Sequence, residues 1–135
     1  MSKIGNREVL NQLMELKSTT AKGHDEIPAF VLKKVAAAIT PNISLLINSC
    51  IVQGKVPLEW KKANIAAIWK NKGSKKDPSN YRPISVLLVL ARVMEKLVAK
   101  QLTNYCDLKH IIPKEQFGFR AKSSCEIALI TAVDH

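Results

Sequence analysis

The chain has 135 residues, 47% of them apolar and 24% charged, which excludes wholesale disorder and suffices for one ordinary domain with a core. Its net charge is +10, unevenly spread: residues 55–82 hold eight Lys/Arg against two acids, while the stretches before and after each carry a net +2. Such a field favours a polyanionic partner, either nucleic acid or a triphosphate. Cys50, Cys106 and Cys125 are too scattered for a disulfide framework or a four-ligand zinc site, which fits a reducing compartment. No basic-then-apolar leader opens the sequence, and no apolar run approaches the roughly 20 residues that span a bilayer. The expectation is an intracellular protein, nuclear or cytoplasmic, with no membrane partner.

In chain order, residues 6–17 place Val9, Leu10, Leu13 and Met14 on one helical face. "AKGHDEIP" breaks that helix. Asp25 and Glu26 precede Pro28, a first-turn proline, and predict a helix over 28–38. Thr40-Pro41 reads as a second cap and first-turn proline, followed by the stripe Ile43, Leu46, Ile47, Cys50 and Ile51, which stops at Gly54. Both prolines are thus expected to start helices rather than sit inside one.

Residues 64–69 are short and apolar enough for a strand. The loop 70–80 carries Gly73 and Asp77-Pro78-Ser79-Asn80, strong turn chemistry, so 81–85 is expected to return antiparallel. Pro83 has no N–H and confines that strand to an edge. Leu90, Val93, Met94, Leu97, Val98 and Leu102 then give the strongest helical period, to about Tyr105. Residues 107–114 form a loop with Pro113, 116–120 are expected to be extended, and Ser123 or Ser124 caps a last helix. That helix is still apolar and periodic at the final residue, so the chain is expected to be cut rather than finished. The fold class is α+β, mostly helical with one antiparallel β-hairpin.

Phosphate is held best by a guanidinium fork backed by mobile ammonium groups, and Arg82 with Lys70, Lys72, Lys75 and Lys76 offers both on one hairpin. A solvated lysine loop is the plain alternative, but it gives no reason for Arg82 to stand between Tyr81 and Pro83, where a stiff backbone aims it. Metal-dependent phosphoryl transfer needs converging acids. Asp25 and Glu26 read as helix-start residues, Glu59 and Asp77 flank basic groups, and Asp134 stands alone. His24, His110 and His135 have no nucleophile or ligand neighbours, and no GxxxxGK[ST] phosphate loop occurs. Cys50 is read as a core residue, Trp60 as packed on a helix and Trp69 as part of the hairpin.

The blocks "KGHDEIPAFVLK", "GKVPLEWKKANIAAIWKNKGSKKDPSNYRPISVLLVLARVMEKLVAKQL" and "IIPKEQFGFR" resemble the N-terminal part of the reverse transcriptase domain of non-LTR (LINE-like, jockey-type) retrotransposons, from about Lys17 onward. "NYRPIS" with a downstream "EKL" and "QFGFR" is specific in combination. The resemblance implies the fingers subdomain of a right-hand polymerase without its palm, with a helical entry segment over 1–62 and the fingers over 63–135 (hairpin 63–86, long helix 87–105, then the QFGFR segment and a truncated helix). It implies that Arg82 grips the triphosphate of an incoming deoxynucleotide, assisted by Lys70 or Lys72, while Lys75 and Lys76 attract nucleic-acid backbone. It also places Gln116, Phe117, Gly118, Phe119 and Arg120 along the template and nucleotide pocket.

The implied partners are an RNA template, a DNA primer and deoxynucleoside triphosphates. The family's catalytic aspartates follow "QFGFR", and "AVDH" does not match their first block. No catalytic residue is therefore assigned, Mg2+ is expected only for the intact parent enzyme, and this chain alone is expected to be inactive. Two alternatives stand beside this reading: a non-catalytic nucleic-acid-binding remnant, and a helical protein-interaction module keyed on Leu97 or Val98.

Overall fold

A computed structural model describes residues 1–113, 115–120 and 123–133. It comprises two compact units, Met1–Ala99 and Lys100–His135, whose boundary falls inside the long helix α5 (Val89–Leu108). The first unit contains α1 (Asn6–Met14), α2 (Ala29–Lys34), α3 (Ala36–Gln53), α4 (Leu58–Lys61) and the strands β1 (Ala63–Trp69) and β2 (Tyr81–Leu87). The second contains the end of α5 and α6 (Cys125–Val133).

Helix α1 starts where the Glu8 carboxylate accepts a hydrogen bond from the Gly5 N–H at 2.9 Å, an acid at the positive end of the helix. It buries Val9 and Leu13. These join Ile4, Ala36, Ile47, Val93 and Leu97 in the main core, with Trp60 packed against it as expected. Cys50 is likewise a core residue, only 6% exposed. Leu97, proposed above as a partner contact, is 4% exposed and belongs to the fold instead.

The extended segment before α1 is held by side chains of α3. The Asn48 amide accepts from the Ile4 N–H and donates to the Ile4 carbonyl, both at 2.8 Å, and the Ser44 hydroxyl donates to that same carbonyl at 3.0 Å. Both polar groups of a buried residue are thereby satisfied.

The proline reading needs correction. Pro28 is extended (φ −72°, ψ 145°) and stands just before α2, as a helix-start residue does. Pro41 lies inside α3. The helix expected over 28–38 breaks at Val35 (φ −99°, ψ 10°), and a new one begins at Ala36 and runs through the proline. Thr40 is no cap: it is buried, and its hydroxyl donates to the Ala36 carbonyl at 2.7 Å, one turn back. Ala37, whose carbonyl Pro41 leaves without a donor, is exposed and open to water. Burial decides the matter, because Ala36, Thr40, Ser44, Ile47 and Cys50 form one continuous face across the proline.

The 18 residues of α3, with mean hydropathy 1.3, are long and apolar enough to cross a membrane by length and composition. That corrects the reading that no apolar run approaches such a length. The buried face of this helix forms the spine of the core against α1 and α5. As expected, α3 ends at Gly54, in the left-handed region (φ 62°) with its N–H on the Cys50 carbonyl.

The segment 21–24 docks on the start of α5. A β-carbon at Gly23 would lie 2.7 Å from the Leu88 Cα, so backbone meets backbone and only glycine fits. The Arg92 guanidinium donates to the Ala21 carbonyl. His24 bonds Glu59 of α4 at 3.1 Å, and Lys62 reaches the same carboxylate at 2.6 Å. "KGHDEIP" is therefore a clasp joining the helices on either side of the hairpin.

Strands β1 and β2 pair antiparallel, from Ala63 opposite Leu87 to Trp69 opposite Tyr81. They form a two-stranded sheet, so Pro83, opposite Ala67, interrupts no inner ladder.

In the second unit α5 extends to Leu108, past the expected end at Tyr105. His110 (φ 50°) then turns the chain, with the Ile111 N–H on the Cys106 carbonyl at 2.9 Å. Residues 116–120 are not extended: Gly118-Phe119 is a turn with Phe119 at φ 59°, and the Gln116 amide donates to the Gly118 carbonyl at 3.2 Å. Ser124 caps α6 as expected, accepting from the Ile127 N–H at 3.2 Å. Asp134 and His135 lie outside the described residues.

The clasp yields a direct stability test. Gly23→Ala is expected to cost about 1–3 kcal/mol in urea unfolding, because the new methyl group overpacks a backbone contact. Val52→Ala on the exposed face of α3, 86% exposed, should stay within about 0.5 kcal/mol. Equal midpoints for the two variants would refute the contact.

Candidate functional site

The hairpin tip is built by polar side chains that close on its backbone. The chain leaves β1 through Asn71 (φ 58°) and Gly73 (φ 74°), two left-handed residues that reverse its direction. Gly73 is doubly constrained, since a β-carbon there would lie 2.5 Å from the Asn80 amide nitrogen. That amide donates to the Ser74 carbonyl at 2.9 Å. The Lys70 ammonium donates to the Ser79 carbonyl at 2.7 Å, beside a Lys70 N–H bond to the Asn80 carbonyl at 2.8 Å. The Tyr81 hydroxyl donates to the Lys75 carbonyl at 2.8 Å.

Asp77 caps the short 3₁₀ turn Pro78–Asn80 by accepting from the Ser79 N–H at 2.9 Å. Hydrogen bonds from the Ser79 N–H, and then from its hydroxyl, hold the Asp77 carboxyl below its ordinary value of 3.8.

The five cations singled out in the sequence do not share one direction. Paired residues in an antiparallel ladder share a face, so Trp69, Ala67, Tyr81 and Pro83 lie on one side of the hairpin, while Ile68, Ala66, Arg82 and Ile84 lie on the other. Arg82 is exposed, and its side chain makes no hydrogen bond or ion pair with any described residue. Lys70 is committed to the Ser79 carbonyl. Lys72, between the two left-handed residues, is exposed and has no partner among the described residues. Lys75 and Lys76 belong to the Tyr81 face: the Lys75 ammonium sits 4.9 Å from the centre of the Trp69 ring, and both lysines line a cleft with Ala67, Pro78, Tyr81 and Pro83.

Within the second unit, Arg120 is engaged by its own chain. Its guanidinium bonds the Asp107 carboxylate at 2.9 Å and reaches the Pro113 carbonyl at 3.5 Å. Phe119 is fully exposed, and Phe117 is half-buried.

The described residues do not fit the Mg2+ that the family resemblance implies. No group of three or more His, Cys, Asp or Glu side chains converges among them. Three of the aspartates are engaged elsewhere: Asp25 on the Ile27 N–H, Asp77 on Ser79, Asp107 on Arg120. Glu59 is held below its ordinary carboxyl value of 4.5 by Lys62 and then by His24.

Sequence reasoning identified the basic residues and missed what organises them. Tyr81 and Asn80 act as loop anchors, and the cleft at Ala67, Pro78 and Pro83 was not foreseen. The signal for the cleft is the period of two on each strand, which becomes usable only once the register is known.

Residues 70–134 match the family described as reverse transcriptase (RNA-dependent DNA polymerase). Relatives include a probable RNA-directed DNA polymerase from transposon X-element of Drosophila melanogaster, 32% identical over 114 residues, and the RNA-directed DNA polymerase from mobile element jockey of the same fly, 32% identical over 120 residues. These alignments cover 84% and 89% of this chain and 13% of each relative. A jockey polymerase of Drosophila funebris is 29% identical over 113 residues, 84% of this chain and 12% of the relative.

The Asp77 cap makes a pH prediction. Because the folded-state value is lowered, the contribution of the carboxylate is fully present above the ordinary aspartate range and is lost as pH falls through the folded-state value. The Ser79 amide resonance should therefore titrate with a midpoint below 3.8 and should stop titrating in Asp77→Asn. A midpoint at or above the ordinary value would show that the cap does not form.

Proposed function

We propose that this chain, which belongs to the reverse transcriptase family of non-LTR retrotransposons, is the fingers part of that polymerase and handles the phosphates of the incoming nucleotide through Arg82. The family's reaction joins deoxynucleotides to a primer 3′-OH along an RNA template. In phosphoryl transfer the protein works chiefly by positioning and by neutralising charge on the phosphate oxygens.

One observation carries the reading. Arg82 is a strand-mounted guanidinium beside a rigid proline, exposed and unspent on any described acid. Arg92 and Arg120, by contrast, are tied to the Ala21 carbonyl and the Asp107 carboxylate. Lys72 is the second cation of the site, since it is exposed and unengaged where the Lys70 ammonium already holds the Ser79 carbonyl.

In this assignment residues 1–62 are the helical entry segment and 63–135 the fingers. Lys75 and Lys76 meet nucleic-acid backbone, and Gln116, Phe117, Gly118, Phe119 and Arg120 line the template. Arg120 reaches a template phosphate only by leaving Asp107. The role proposed for this segment is to bind and position, and no described residue is assigned to the metal ions.

In a reverse transcriptase carrying this segment, Arg82→Ala should raise the nucleotide KM and lower kcat, with kcat/KM falling about 10- to 100-fold for the lost charge-assisted bonds. Arg82→Lys should recover only part of the loss, because an ammonium has no fork. Steady-state kinetics that do not change on Arg82→Ala would remove this residue from the site.

A further inference from the structure

We propose that the opposite face of the hairpin, the Trp69 and Tyr81 side, is a separate binding site for single-stranded nucleic acid that seats one base in the cleft. The proposal rests on reading Lys75 and Lys76 as backbone cations but not on the role of Arg82. The cleft, open to solvent and about 380 Å³ in volume, is walled by Ala67, Pro78, Tyr81 and Pro83. Lys75 and Lys76 stand at its rim. A flat apolar wall beside two ammonium groups complements a nucleotide unit, whose base has a π face and whose phosphate is anionic.

The site is organised before any ligand arrives. Tyr81 forms part of the wall, and its hydroxyl also holds the Lys75 carbonyl at 2.8 Å, so the ring and the backbone that carries Lys75 are fixed by the same side chain. The Lys76 N–H is fixed on the Ser74 hydroxyl at 3.2 Å. The Lys75 ammonium lies 4.9 Å from the centre of the Trp69 ring, a weak partner that a phosphate displaces.

Charge and shape together select the ligand. An acidic peptide would satisfy the lysines and leave the apolar wall unused. In a duplex the bases are already stacked and cannot enter. Arg82 lies across the sheet from this cleft, so a triphosphate on its face and a strand on the other do not compete for the same side chains.

The test uses the full chain, a ten-nucleotide oligouridylate without added metal, and the Trp69 indole resonance as reporter. Oligouridylate should shift that resonance. Lys75→Gln with Lys76→Gln should flatten the dependence of log K on log salt by about 1.4, for two lost phosphate contacts on a single strand. Ala67→Ile, an exposed strand position that touches none of the loop hydrogen bonds, should fill the cleft and weaken binding at least about tenfold, with circular dichroism unchanged.

Arg82→Ala should leave oligouridylate binding within about twofold. Wild-type affinity in both the Ala67→Ile and the double-lysine variants would overturn the inference. So would equal binding of a polyglutamate or a blunt RNA duplex at Trp69. If Arg82→Ala abolishes oligouridylate binding while Ala67→Ile does not, the strand lies on the Arg82 face and this site fails, although the triphosphate reading survives.

Discussion

Five cations stand within residues 70–82, and they repel one another. The tip keeps its shape because its backbone carbonyls are claimed from inside the loop: Ser79 by the Lys70 ammonium, Ser74 by the Asn80 amide and Lys75 by the Tyr81 hydroxyl. Lys70 keeps its charge and also serves as a structural donor. The others are carried at fixed points of an ordered backbone, an arrangement that would lower the entropy lost on binding an anion.

The helices matter to this tip through its two ends. Ala63 and Leu87 close the ladder at its base, next to α4 on one side and α5 on the other. Those two helices are joined by the clasp, with Gly23 on Leu88, Arg92 on the Ala21 carbonyl and His24 on Glu59. A glycine that carries no chemistry therefore fixes where the hairpin leaves the core. The exposed Ile65, Ile68 and Ile84 show how little of the sheet is covered by the rest of its unit, so its two faces are both open to ligands.

Much of this was legible in the residues. The hairpin, the Gly54 stop, the Ser124 cap and the core roles of Cys50 and Trp60 all follow from local turn chemistry and apolar period, which act over a few neighbouring residues. The family was legible too, from the order of its landmark blocks. The failures share one cause. Thr40-Pro41 satisfies the pattern of a helix start, yet the continuous buried face from Ala36 to Cys50 carries the helix through it. The QFGFR segment has alternating bulk, yet the Arg120–Asp107 pair lies just beyond its turn, spanning thirteen positions of sequence.

Composition and spacing alone determined that a basic hairpin exists, where it turns, and that its chemistry suits phosphate. Only the tertiary structure decided which cation faces which way. Register sorts Arg82 from Trp69 and Tyr81, and hydrogen bonds across the loop remove Lys70 from the free set and bring Lys75 onto an indole. Side-chain identity is a local property, whereas direction depends on partners that the folded chain brings together from distant positions.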